Sequence, residues 1–80
     1  MRPTTFTGSN VIYGKDQAAY QELPAMKFPD GEILTCWEMS EEEFQQFCKT
    51  RKLYVMVLSF NQPLQPMNLV VDAADLITLT

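Results

Sequence analysis

Cys36-Trp-Glu-Met-Ser-Glu-Glu-Glu-Phe-Gln-Gln-Phe-Cys-Lys-Thr-Arg-Lys-Leu-Tyr-Val-Met-Val-Leu-Ser-Phe60 decides how the chain is read: a strand end, a capped helix, and a second strand. Ser40 stands directly before Glu41-Glu42-Glu43. With Ser40 as N-cap, Glu43 falls at N3, the spacing of a capping box. The Ser40 hydroxyl accepts from the N3 N–H and the Glu43 carboxylate accepts from the Ser40 N–H. Met39 and Phe44 then occupy N′ and N4, the two positions of a hydrophobic staple. Three acids lie in the first turn and Lys49, Arg51 and Lys52 at the far end, both as the helix dipole favours. The spacing predicts a helix over residues 41–51. A helix of about three turns does not persist alone in water, so it has to dock. Its docking face is Phe44, Phe47, Cys48 and the alkyl stem of Arg51.

Leu53-Tyr-Val-Met-Val-Leu-Ser-Phe60 is rich in β-branched and aromatic residues. Leu53, Val55 and Val57 point one way, and Tyr54, Met56, Leu58 and Phe60 the other. Both faces are apolar, which predicts an interior strand covered on both sides. Upstream, Ala25–Phe28 and Ile33–Trp37 flank Pro29-Asp30-Gly31-Glu32, a β-hairpin signature. Trp37 is expected in the core. Asn10–Gly14 reads as an edge strand or a segment lying against the domain. Lys15–Glu22 reads as an irregular connection anchored by Tyr20 and Leu23 and closed by Pro24. Residues 1–9 lack an apolar pattern and are expected to be a flexible arm.

Beyond Phe60, Pro63 and Pro66 rule out helix and central strand. They mark a stiff loop in which Leu64 and Met67 can pack. Asn68–Asp72 reads as a compact strand. Leu76–Thr80 reads as a last strand, added to the sheet or offered to a partner. The expected fold is therefore α+β: a single domain over residues 10–80, with a hairpin, then one helix packed on an antiparallel sheet with one or two further strands.

Eighty residues make one domain with limited burial. Six basic and ten acidic residues give a net charge of −4. That balance argues against a protein holding nucleic-acid phosphates or anionic lipid by charge. No secretory signal and no bilayer-length apolar run is visible, so the expectation is a soluble protein kept in a cytoplasm. With no histidine, Ser-His and Cys-His nucleophile pairs and His-containing zinc sites are excluded. Neither a phosphate loop nor a dinucleotide fingerprint occurs. Cys36 and Cys48 are expected to be reduced, with Cys48 a small core residue. Pairing them would require the helix to fold back over the preceding strand. Capping and dipole account for Glu38, Glu41, Glu42 and Glu43 without a metal. No catalytic residue, cofactor or metal ligand is assigned.

Asn10-Val-Ile-Tyr-Gly-Lys-Asp-Gln17, Tyr20-Gln-Glu-Leu-Pro-Ala25, Asp30-Gly31, Cys36-Trp-Glu-Met-Ser40 and Leu58-Ser-Phe-Asn-Gln-Pro-Leu-Gln-Pro66 together resemble small proteins of unassigned function encoded by tailed bacteriophages and prophages. The resemblance runs from Asn10 to Pro66. Members of that family carry a more basic, Leu-rich segment where this chain has Glu41–Cys48. The resemblance implies a phage or prophage origin, with no activity and no site residues to carry over. The functional expectation is a non-enzymatic interaction module that binds a protein or its own copy. The alternative is a small acidic inhibitor or regulator of a host protein, and the last-ranked reading is an enzyme or metal-binding protein. The partner surface is expected at Glu38, Glu41, Glu42, Leu76, Ile77 and Leu79.

Overall fold

A Pro-Asp-Gly turn sets the first half of the chain in the computed structural model, which describes residues 1–16 and 21–77. Those residues form β1 (Arg2–Thr4), β2 (Val11–Tyr13), β3 (Leu23–Lys27), β4 (Ile33–Leu34), β5 (Cys36–Glu38), α1 (Glu41–Thr50) and a 3-10 turn over Ala73–Asp75. The fold is α+β as expected, with one helix and two antiparallel sheets of three and two strands.

The expected hairpin is β3–β4, with Met26 opposite Leu34 and Lys27 opposite Ile33. Its turn is closed by Phe28 N–H donating to the Glu32 carbonyl at 2.9 Å and Gly31 N–H donating to the Phe28 carbonyl at 3.0 Å. Gly31 lies at φ 99°, where a side chain would be strained. β2 pairs along the other edge of β3, with Val11 opposite Ala25 and Tyr13 opposite Leu23, so the Asn10–Gly14 expectation of an edge strand is met. β4 reaches only as far as Met26, which leaves Pro24 with a partner strand on one flank alone. A residue without an N–H is tolerated there.

The strand expected over Ile33–Trp37 is divided at Thr35. The chain leaves the three-stranded sheet after β4 and enters the two-stranded sheet as β5. There it pairs with β1, with Arg2 opposite Glu38 and Thr4 opposite Cys36. The first residues, expected as a flexible arm, thus hold β1. Backbone pairing needs no apolar pattern, so the pattern does not reveal it. Trp37 is 47% exposed rather than in the core, and its indole N–H donates to the Thr35 hydroxyl at 3.0 Å.

Two polar devices tie the first sheet to the loop before it. Asn10 continues the β2–β3 ladder with its side chain: Oδ1 accepts from Lys27 N–H at 2.8 Å and Nδ2 donates to the Lys27 carbonyl at 3.2 Å. Ser9 closes a turn on Phe6, its hydroxyl accepting from Phe6 N–H at 2.9 Å. Gly8 within that turn has φ 106°, and a Cβ there would lie 3.0 Å from Met26 Sδ.

Apolar packing is sparse. Ala25 is the one fully buried hydrophobic residue among those described. The chain exposes 7389 Å², whereas a compact monomer of this mass exposes about 4,900 Å². Its radius of gyration is 14.2 Å, against about 12 Å for a compact chain of this length.

Three strand expectations are corrected. Leu53–Phe60 forms no strand and is exposed on both faces instead of being an interior ribbon. Asn68–Asp72 is irregular and exposed. Leu76 and Ile77 form no strand, and Thr78, Leu79 and Thr80 lie outside the described residues, as does Tyr20. The physical reason is common to all three. An apolar, β-prone sequence becomes a strand only where another backbone meets its N–H and C=O groups.

Gly8→Ala is expected to destabilise by about 1–3 kcal/mol through its positive φ, since the Met26 side chain can yield. Asn10→Ala should cost about 1 kcal/mol for the two lost hydrogen bonds. Urea unfolding midpoints of the two variants check both values.

Candidate interaction surface

The helix is built as its sequence dictates. Ser40 Oγ accepts from Glu43 N–H at 3.2 Å and Glu43 Oε1 accepts from Ser40 N–H at 2.9 Å, which completes the capping box. At the other end Arg51, at φ 56°, donates its N–H to the Phe47 carbonyl at 2.7 Å. This left-handed C-cap, on a residue other than Gly, ends the helix and redirects the chain.

α1 buries none of its residues fully. Phe47 is half-buried, while Phe44, 50% exposed, and Cys48 face solvent. The expected docking face is therefore largely bare, and Cys48 is not a core residue. Both cysteines are free thiols. Phe47 contributes instead to an open groove of about 380 Å³ shared with Met1, Met39, Leu53 and Tyr54.

From Leu53 the chain runs out as an arm. The alternation read from the sequence survives there: Leu53, Val55 and Val57 are each about half covered, whereas Tyr54 is 89% and Met56 99% exposed. Among the described residues none shares a backbone hydrogen bond with Leu53–Leu58. At Ser59–Gln62 the arm reverses. Gln62 N–H donates to the Ser59 carbonyl at 3.0 Å, and Phe60 and Asn61 have φ 54° and 61°. Two successive left-handed residues are the geometry of a primed hairpin turn. Asn accepts that conformation readily; for Phe it is an outlier.

The hairpin that such a turn begins is not formed. Continuing its register would set Val57 against Leu64 and Val55 against Pro66, both at hydrogen-bonding positions of the ladder. Pro66 has no N–H to give. Leu64 and Met67, expected to pack, are 60% and 52% exposed. The result is an arm of nineteen residues, Leu53–Val71, with no charged side chain and with most of its apolar surface in water. Asp72 then caps the short 3-10 turn, accepting from Ala74 N–H at 3.0 Å.

The residues expected to meet a partner are dispersed. Glu38 pairs with Arg2 at 2.9 Å, an exposed ion pair of small energetic weight. Glu41 accepts from the Gln45 amide at 3.0 Å, and Glu42 lines the groove. Leu76 and Ile77 are half-buried at the end of the 3-10 turn, and Leu79 lies outside the described residues. The surface that stands open is Tyr54, Met56, Leu58 and Phe60. The sequence signal for it is a segment apolar on both faces, a pattern that implies burial within one chain.

The carboxyl of Glu43 has a displaced titration. The terminal ammonium of Met1, 2.5 Å from Oε2, and the Ser40 N–H hold its carboxyl down at about 2. Among the described residues no group of three acidic or cysteine side chains could hold a metal ion, and no helix is long and apolar enough to cross a membrane. No protein-family model matches the chain, and no similar curated protein or solved structure was found.

A depressed carboxylate pKa contributes stability that is complete above the unfolded value, near pH 4.5, and disappears as pH falls towards 2. Helical circular dichroism should therefore weaken over that window, and Glu43→Gln should remove the pH-dependent part while lowering helicity at neutral pH.

Proposed function

We propose that the chain is a non-enzymatic protein-interaction module whose second half acquires its covering only in an assembly. One observation carries this reading: Leu53–Val71 is uncharged, largely apolar and exposed, in a chain whose described residues include a single fully buried one. Exposed apolar area on this scale marks a protein contact rather than a finished monomer. An extended segment with free backbone groups is the form taken by strand-addition partners.

The phage or prophage origin implied by the sequence resemblance belongs to the same proposal, and a virion or host-cell assembly is the setting it supplies. The acidic-regulator alternative has less support. Glu38, Glu41 and Glu43 are each engaged within the chain, which leaves Glu42 as a poor basis for recognition by charge.

A photo-crosslinking amino acid at Met56 is expected to form covalent protein adducts in the producing cell, and the same group at Asp30, on the hairpin turn, none. Equal labelling at the two positions, or none at Met56 in intact full-length protein, would count against the reading.

A further inference from the structure

The interaction reading leaves the partner open, and the arm itself restricts the choice. We propose that the arm is completed by the arm of a second copy of this chain, with the two Leu53–Leu58 segments antiparallel about Met56. This rests on the reading above that the arm is a protein-binding element.

Area is the first argument. The surface in excess of a compact monomer is about 2,500 Å² per chain, given the 7389 Å² exposed. That excess is spread over the whole chain, and two arms hiding half of it would conceal about 2,500 Å², still within the range of obligate homodimers.

Charge is the second. Ten acidic and six basic residues occur in the chain, yet none falls between Leu53 and Val71. A partner selected by charge would find nothing there to match. A second uncharged arm needs no match, and two copies of an acidic chain can approach along it with least repulsion.

The backbone supplies the third. Pro66 prevents the second limb from completing a ladder on Leu53–Leu58, so that edge stays open to another chain. Direction follows from the flanking residues. Parallel pairing would set Arg51 against Arg51 and Lys52 against Lys52, like charges directly opposed. Antiparallel pairing about Met56 sets Val55 against Val57 and Tyr54 against Leu58, and brings Lys52 beside Phe60. The turn at Ser59–Gln62 limits the ladder at its far end.

Met56 is 99% exposed in the single chain, so changing it costs a monomer little, whereas two copies of it meet at the proposed axis. Sedimentation of the full chain is expected to give a dimer. Met56→Glu should weaken that dimer on the order of a hundredfold or more, by placing two carboxylates at an apolar axis, with the circular dichroism of α1 retained. In a Cys36→Ser, Cys48→Ser background, Met56→Cys should form an intermolecular disulfide on mild oxidation, because opposed Cα atoms of an antiparallel pair lie within disulfide range. Asp30→Cys should not.

A wild-type dimer that Met56→Glu leaves intact overturns the proposal, as does a wild type that stays monomeric at about 100 μM, well above the Kd of specific dimers. Hydrogen exchange of that monomer then separates the two readings. Rapidly exchanging amides over residues 53–58 would remove self-pairing and leave the interaction module standing with another occupant. Amides already protected in the monomer would overturn both.

Discussion

Strand β3 is the constraint to which the first half of the molecule is tied. Among the described residues it alone has partners on both edges, and Ala25, at its middle, is the one residue sealed from water. The Pro-Asp-Gly turn fixes β4 on one side, and Asn10 fixes β2 on the other by lending its amide to the ladder. The framework is held by main-chain hydrogen bonds more than by a packed interior, since the remaining hydrophobic side chains keep part of their surface in water.

That shortage of interior governs the second half. A helix of three turns gains little from propensity alone, and α1 is kept by its caps: Ser40 and Glu43 at the start, a left-handed Arg51 at the end. It covers little: none of its residues is fully buried. The apolar residues of Leu53–Val71 consequently have no surface of their own chain large enough to receive them. Pro66 adds a second obstacle by denying them a hairpin. This distribution is what the proposed association would answer.

Electrostatics support the division. Charges collect on the helix and at the ends of the paired strands, where Arg2–Glu38 and the Glu43 cap organise local geometry. The arm is free of them. The charged side chains and the exposed apolar surface of the arm therefore lie in different parts of the molecule.

Local chemistry was legible in the sequence because it acts within a few residues. The capping box needs only Ser40 and Glu43 three positions apart. The β3–β4 hairpin needs Pro29, Asp30 and Gly31. The two faces of Leu53–Phe60 follow from alternation, and that alternation is present in the structure. Whether a β-prone segment is covered depends on which backbone lies beside it, and that is non-local information. Hence β1 arose where no apolar pattern announced it, from pairing between Arg2–Thr4 and Cys36–Glu38. For the same reason Leu53–Phe60, the strongest strand signal, stands open. The sequence by itself determined where the helix, the hairpin and the apolar faces lie, through forces that reach one turn of chain. Only the tertiary structure decided which of those faces meet, because hydrogen bonds between strands and the removal of apolar area from water depend on residues distant in sequence arriving at one place.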